Sequence, residues 1–98
     1  MRFICLDIPL DGVSIDDYKP HMVEEASYGW ELYKSEFIRE VFYRKDRLVV
    51  VLIAESESVE SCYSELKKFP LCREGVIDWQ IIPVGPFMGW ESLFSVGQ

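Results

Sequence analysis

The feature that most constrains the fold is an unbroken apolar run at residues 48–54, with the sequence LVVVLIA. A strand with one exposed face alternates apolar and polar side chains, whereas a run of this kind is typical of a central strand covered on both faces. The preceding segment, residues 36–45, does alternate. The residues that it is predicted to place on one face are Phe37, Arg39, Val41 and Tyr43. The two segments therefore predict a hairpin that turns at Lys45 and Asp46.

The chain upstream of the hairpin predicts one strand and one helix. Residues 2–8 read as a strand closed by Pro9 and Gly12. The helix runs to about residue 34 and starts at either Ile15 or Pro20; we favour Pro20, because proline is tolerated in the first turn of a helix. The candidate N-caps are Ser14, Asp16 and Asp17. The side chains predicted to form its apolar face are Met22, Val23, Ala26, Trp30 and Tyr33.

A second helix and a last strand follow the hairpin. Ser56 or Ser58 caps the helix, and Pro70 is predicted to end it. Its apolar stripe, at i, i+3, i+4, i+7 and i+10, consists of Val59, Cys62, Tyr63, Leu66 and Phe69. The last strand covers residues 75–84. The element order is thus β-α-β-β-α-β.

This order predicts an α+β, ferredoxin-like fold. Right-handed crossovers arrange the four strands as one antiparallel sheet in the order 4-1-3-2, with both helices on one face. Two helices cover only one face, so the apolar run predicts that a second copy covers the other, giving a homodimer or a higher homo-oligomer. The 98 residues form a single domain. Its aromatic tail, residues 84–98, is predicted to pack on the domain or on the partner subunit.

Composition excludes several classes of function. The formal net charge of −7 argues against nucleic-acid binding, which needs clustered Lys and Arg. No apolar run approaches the length of a membrane span, so we expect no membrane association. Cys5, Cys62 and Cys72 have neither metal-like nor disulfide-like spacing. We therefore expect a cytoplasmic protein with free thiols and no bound metal.

Several segments together resemble a known family, the dimeric α/β-barrel superfamily, and within it the small proteins related to muconolactone isomerase. The likeness extends from about residue 25 to the C-terminus. The segments that carry it are residues 25–33, Ile38-Arg39-Glu40, residues 43–47, residues 50–55, Phe69-Pro70-Leu71 and residues 75–87. One departure is Ser35, where relatives often have glycine.

The resemblance implies a cofactor-free enzyme that transfers a proton on a small unsaturated carboxylate. A non-catalytic ligand-binding or assembly module is the alternative, and a cofactor-free monooxygenase is a further one. For the oxygenase and haem-degrading branches of this superfamily, the resemblance would imply site residues that include Asn, and this chain has no Asn. Fold likeness alone does not choose among these activities.

Two residues are candidates for catalysis. His21, the only histidine, is the side chain that exchanges a proton most readily near neutral pH. Arg39, placed among apolar neighbours by the alternation, is the candidate to bind the substrate carboxylate. The alternatives are a half-buried His at a helix entry and an Arg in a structural ion pair.

The predicted pocket residues are Trp30, Tyr33, Tyr43 and Asp78. The aromatic residues would line the pocket, although aromatic residues at helical spacing also commonly form core. Asp78 lies near Asp7 in the predicted sheet, and two close carboxyl groups can supply a proton donor. The alternative is that Asp78 faces solvent or a subunit contact.

Overall fold

The sheet has the predicted topology. The computed structural model describes residues 1–47 and 49–94, so Leu48 of the apolar run and the end of the tail (residues 95–98) lie outside the described residues. Four antiparallel strands form one sheet in the order β2-β3-β1-β4. They are β1 (Arg2–Pro9), β2 (Ile38–Tyr43), β3 (Val50–Glu55) and β4 (Ile77–Val84). The predicted order is confirmed, and β3 is a central strand.

The helical segments are shorter and more numerous than predicted. They are α1 (Ile15–Tyr18), a 3₁₀ turn (Lys19–His21), α2 (Met22–Lys34), α3 (Val59–Leu66), α4 (Pro70–Arg73) and a 3₁₀ helix (Met88–Leu93). Pro70 does not end the second helix as predicted: α3 already ends at Leu66, and Pro70 opens α4. Proline suits that first position because its nitrogen has no hydrogen that needs a partner there.

The helical path into α2 begins earlier than predicted. Ser14 is the N-cap of α1, and its backbone N–H donates to Asp17 Oδ2 at 2.7 Å. The preferred start at Pro20 was therefore wrong, and the alternative at Ile15 is the observed one. Pro20 lies in the 3₁₀ turn between two α-helical segments, where the regular α hydrogen-bond pattern is already interrupted.

The three helices that contribute buried side chains, α2, α3 and α4, pack on the same face of the sheet. The strands contribute inward-facing Phe3, Cys5, Leu52 and Ile77, each no more than 1% exposed. The helices contribute buried side chains from α2, α3 and α4, namely Leu32, Cys62, Leu66 and Leu71. Cys62, Leu66 and Phe69 of the predicted stripe are buried, whereas Val59 and Tyr63 are 39% and 37% exposed, so the stripe is confirmed only in part. One layer of helices on one sheet is the arrangement predicted from the element order.

The inward face of α2 differs from the predicted stripe. Val23 is 85% exposed, so its assignment to the apolar face was wrong. Leu32 is the buried residue of the helix instead. The reason is that α2 meets the sheet along only part of its length. Elsewhere it leaves a gap, described below, and residues such as Met22 and Trp30 line that gap.

A register irregularity changes the faces of β2. Ile38 pairs with Ala54, whereas Glu40 pairs with Ile53, so the pairing shifts between these two positions. Val41 and Tyr43 then share the inner face with Ile38. The predicted grouping of Arg39 with Val41 and Tyr43 was therefore wrong, because an extra residue in a bulged strand breaks the strict alternation.

The outer face of the sheet carries apolar side chains across three strands. Ile53, Ile4 and Ile82 lie side by side in the register of β3, β1 and β4. Ile82 is 36% exposed, while the other two are half-buried. No helix among the described residues packs on this face. Both faces of β3 are thus apolar, as predicted, and the partner copy that would cover the outer face stays a prediction.

The described part of the C-terminal tail exposes its aromatic side chains. The aromatic residues Phe87, Trp90 and Phe94 are 63–80% exposed, and Phe87 contacts Trp90 edge to face at 5.4 Å. The radius of gyration is 16.5 Å, against about 13 Å for a compact chain of this length. Packing of the tail on the domain or on the partner subunit stays a prediction.

Candidate functional site

The gap between α2 and the inner face of the sheet forms a cavity of about 940 Å³. Its walls are mainly apolar and aromatic. On α2 the lining residues recur at i, i+3, i+4, i+7, i+8 and i+11, which is one side of a helix. They are Met22, Glu25, Ala26, Gly29, Trp30 and Tyr33. The sheet provides the opposite wall, from Asp7, Ile38, Leu52 and Trp79.

Asp7 is a buried carboxyl group in this wall. It is 6% exposed because the alternation of β1 places it on the same face as Phe3 and Cys5. Its Oδ2 accepts a hydrogen bond from the backbone N–H of Val50 at 3.1 Å. Burial raises the pKa of Asp7, against the opposing effects of that hydrogen bond and of the Arg47 charge. Its Oδ1 is buried and has no hydrogen-bond partner among the described residues.

Glu25 is the second carboxyl group of the cavity. Its Oε1 accepts from the backbone N–H of Leu71 at 2.9 Å, which ties α2 to the start of α4. Burial raises the pKa of Glu25 from 4.5 to about 7. The Leu71 hydrogen bond and the Arg73 charge oppose this rise, and the charge of Asp7 adds to it. A carboxyl group with this pKa can both accept and donate a proton near neutral pH.

Trp79 provides a buried donor beside Asp7. The two residues are directly opposite each other in the pairing of β1 with β4. Trp79 is 8% exposed, and its ring packs against Phe69 with centroids 5.6 Å apart. Its Nε1–H is buried and, like Asp7 Oδ1, has no hydrogen-bond partner among the described residues. Two residues of the cavity wall therefore each contain one buried polar atom without a partner, an acceptor in Asp7 and a donor in Trp79.

Three of the six predicted site residues line the cavity. Trp30 and Tyr33 stack on α2 with ring centroids 5.6 Å apart, and Tyr43 projects from β2. They are 49–61% exposed, which places them at the open side of the cavity rather than in its depth. Their function as pocket residues stays a prediction that their positions support.

The other three predicted site residues are not in the cavity wall. His21 is half-buried in the 3₁₀ turn before α2. Arg39 is exposed. The hydrogen bond from Arg2 is the main cause of the lowered pKa of Glu55, and the charge of Arg39 contributes to it. The structure thus does not bring His21 and Arg39 together around one cavity, and their catalytic roles remain untested.

Asp78 lies on β4 outside the cavity and has a structural partner. Its Oδ1 accepts from the hydroxyl group of Tyr63 at 3.0 Å, and from the backbone N–H of Trp79. It is exposed, and α3 supplies its partner. Its predicted neighbour Asp7 faces the cavity instead, so the two carboxyl groups lie on opposite faces of paired strands.

The sequence contained signals for the residues that were missed. Glu25 lies three residues after Met22 and one before Ala26, so a carboxylate falls on an otherwise apolar helix face. Asp7 likewise continues the inward positions of Phe3 and Cys5. A charged residue at an apolar position costs free energy unless it is paired, which makes it a candidate for function. Nothing in the sequence, however, indicated that the two would face one cavity.

Two further features of the described residues bear on the site. Residues 1–47 and 49–94 include no group of three or more His, Cys, Asp or Glu arranged to hold a metal ion. Within the same ranges, every helix is too short or too polar to cross a membrane.

Comparison with known proteins connects the fold to solved structures. No protein-family model matches the sequence, and no curated protein matches it significantly. Among solved structures, muconolactone isomerase superposes with a TM-score of 0.70 at 15% identity, covering 90% of this chain and 92% of its own. The 5-chloro-2-hydroxyhydroquinone dehydrochlorinase of Burkholderia phenoliruptrix, in complex with 2,5-dihydroxybenzoquinone, has a TM-score of 0.72 at 18% identity and covers 91% and 98%. The chain therefore has the muconolactone isomerase-like fold that its resemblance to the dimeric α/β-barrel superfamily predicted.

Proposed function

We propose that the protein is an enzyme that moves a proton on a small unsaturated molecule held in the cavity, with Glu25 as the proton-transfer group. The observation that carries this proposal is a carboxyl group with a pKa of about 7 in an apolar cavity. General acid–base catalysis is most efficient when the pKa of the group lies near the working pH. Glu25 meets this condition, and burial is the main cause of the rise in its pKa.

The position of Glu25 suits a double-bond isomerisation. One oxygen is held by Leu71, which fixes the orientation of the carboxyl group. The ionised group would remove a proton from one carbon of the substrate, and the resulting acid would return it to another carbon. The electron pair stays within the substrate, and Glu25 holds the proton between the two steps, where it can exchange with water, so no further reactant is needed.

Glu25 thereby takes the role that we expected for His21. A substrate carboxylate, expected from the resemblance, would find Lys19 as the one cationic side chain among the described lining residues. Arg39 lies elsewhere. The names of the two structural neighbours, an isomerase and a dehydrochlorinase bound to a small benzoquinone, agree with a cavity for small unsaturated rings.

The proposal can be tested with α-angelica lactone, a small lactone whose double bond migrates when one proton moves. We expect the wild-type protein to accelerate the migration and, in D₂O, to incorporate deuterium, both followed by NMR. The rate should rise through about pH 7 as Glu25 ionises. Glu25→Gln should lower the rate by about 100-fold or more. Glu31→Gln, an exposed acid paired with Lys34 on the same helix, is the matched control.

Three outcomes would contradict the assignment. They are no acceleration over buffer, equal rates for wild type and Glu25→Gln, or a loss of rate in His21→Ala with none in Glu25→Gln. Binding of small ring compounds without any proton exchange would support the non-catalytic ligand-binding module instead.

We also propose that the outer face of the sheet packs against a second copy of this chain. The row formed by Ile53, Ile4 and Ile82 is apolar across three neighbouring strands. The same apolar row on a second copy would meet it about a two-fold axis. The homodimer expected from the sequence would then cover the face that the helices leave open.

A further inference from the structure

Tyr18 and Glu25 belong to the same helical wall of the cavity. From α1 through the 3₁₀ turn into α2, the lining residues recur at i, i+3, i+4, i+7, i+10 and i+11, so one side of this path faces the cavity. Tyr18 and Glu25 are seven residues apart on that side, which separates their Cα atoms by about 10–12 Å along the path. A small ring molecule therefore fits between the two side chains.

The hydroxyl group of Tyr18 is a donor without a partner among residues 1–47 and 49–94. Tyr18 is half-buried and packs against the core. Burial and then the charge of Asp7 raise its pKa, so the hydroxyl group stays protonated, and no hydrogen bond to a described residue contributes to the rise. In contrast, the hydroxyl groups of Tyr28 and Tyr63 each donate to a carboxylate.

This hydroxyl group is also within reach of a molecule in the cavity. Among the described residues that are not exposed, the fully buried side-chain oxygen and nitrogen atoms without a partner are Asp7 Oδ1 and Trp79 Nε1. The hydroxyl oxygen of Tyr18 is not one of them, so it keeps accessible surface.

The other side-chain donors among the described lining residues are less available than Tyr18. They are Ser14, Lys19, Trp30, Tyr33, Tyr43 and Trp79. Ser14 and Lys19 already contact carboxylate groups of α1, at 3.4 and 3.2 Å. The three aromatic residues at the open side are 49–61% exposed, so water competes for their donors. Trp79 Nε1 is fully buried.

We infer that Tyr18 is a further catalytic residue of the proposed reaction, whose hydroxyl group donates a hydrogen bond to a carbonyl oxygen of the substrate. When Glu25 removes a proton from the carbon next to that carbonyl group, the C–H bond breaks. Its electron pair forms an enolate with the negative charge on the oxygen, and the hydrogen bond is strongest in this state. The charge returns to carbon when Glu25 gives the proton to the second carbon. This inference rests on the proposed function, because it assigns a second group to the same reaction.

Tyr18→Phe removes the hydroxyl group and keeps the ring that packs on the core. With α-angelica lactone, whose carbonyl oxygen carries the charge of the intermediate, we expect kcat about 100-fold below wild type and KM changed by about threefold or less. The rate should still rise through about pH 7, because Glu25 still ionises. Tyr63→Phe is the control: it removes a hydroxyl group bound to Asp78 outside the cavity and should keep the wild-type rate.

A binding experiment tests the same contact without turnover. In Glu25→Gln a neutral side chain replaces the protonated acid of the intermediate, and pentafluorophenolate replaces the enolate as a small ring with a negatively charged oxygen. By titration calorimetry, the double variant Glu25→Gln/Tyr18→Phe should bind this anion about 10-fold or more weakly than Glu25→Gln. Repulsion by Asp7 is common to both proteins. Pentafluorobenzene, which lacks only the charged oxygen, should bind both equally.

The inference fails if the two variants bind pentafluorophenolate equally, if neither binds it, or if Tyr18→Phe keeps the wild-type kcat. Circular dichroism checks that each variant folds. If Tyr18→Phe does not fold, Glu25→Gln must still bind pentafluorophenolate more tightly than pentafluorobenzene, and the reverse order refutes the inference. No acceleration by wild type, together with the expected difference in binding, would refute the proposed function and leave the Tyr18 contact established. Acceleration that depends on Glu25 but not on Tyr18 would refute this inference alone.

Discussion

At the scale of single residues, the site depends on acids that the fold places in apolar surroundings. Asp7 and Glu25 come from different elements, yet both face one cavity, and each uses one oxygen to bind a backbone N–H group. Their inward positions follow from strand alternation and helical spacing. The elevated pKa values do not follow from those patterns, because they depend on how much of each carboxyl group the neighbouring elements shield from water.

The pKa of Glu25 predicts how its replacement changes stability with pH. Because the folded-state pKa is raised from 4.5 to about 7, its contribution to stability is fully present below about pH 4.5 and is lost as the pH rises through 7. Glu25→Gln removes this loss. It should raise the free energy of unfolding by about 1–2 kcal/mol at about pH 8, a value reduced for partial solvent access.

Urea denaturation at about pH 8 and about pH 4 measures this difference. The variant should gain little at the lower pH, where the carboxyl group is protonated in both states. Glu31→Gln should change little at either pH, because Glu31 is exposed. A gain of equal size at both pH values for Glu25→Gln would show that the titration is not responsible.

At the scale of elements, the end of α2 shows how local patterns were only partly informative. Ser35 is the position at which the resemblance implies a glycine. In the structure the left-handed residue is the next one, Glu36, with φ 71°. Ser35 has φ −80° and its hydroxyl group donates to Leu32 O at 3.1 Å. The chain reverses after the helix without a glycine at either position.

Glu36→Gly should therefore stabilise the protein by about 1 kcal/mol, because glycine adopts a left-handed conformation without the clash of a Cβ atom. Thermal unfolding followed by circular dichroism measures the change. Glu36→Ala removes the same charge but keeps the Cβ atom, so it should give no comparable gain. Ser35→Gly should destabilise, since it removes the hydroxyl bond to Leu32. Equal gains from the Gly and Ala variants would contradict the explanation.

At the scale of the whole molecule, the single chain leaves apolar surface without cover. Two parts of this surface are the outer sheet face and the described part of the aromatic tail, where Phe87, Trp90 and Phe94 are mostly exposed. Exposed apolar patches of this extent on a small domain are typical of subunit contacts. The sequence led to the same expectation through the apolar run, now placed at the centre of the sheet.

Ile53→Lys tests the proposed contact in the middle of the outer face. We expect sedimentation at micromolar concentration to show a dimer or larger assembly for wild type and a monomer for this variant. A lysine buried in this contact without a partner would lose its hydration without compensation, which destabilises the dimer. Val23→Lys introduces the same charge on the opposite, helical side, where the residue is already 85% exposed. A monomeric wild type would refute the proposal.

By itself, the sequence determined the element order, the strand order and the sheet face that the helices cover. These follow from periodicity, proline and glycine positions and handedness, which act over a few residues at a time. Only the tertiary structure decided the site. The shift in strand pairing between Ile38 and Glu40 moved Arg39 off the inner face of the sheet. Incomplete contact between α2 and the sheet left a cavity lined by Glu25, Asp7 and Trp79. Burial and the meeting of distant residues depend on the packing of whole elements, which no local pattern records.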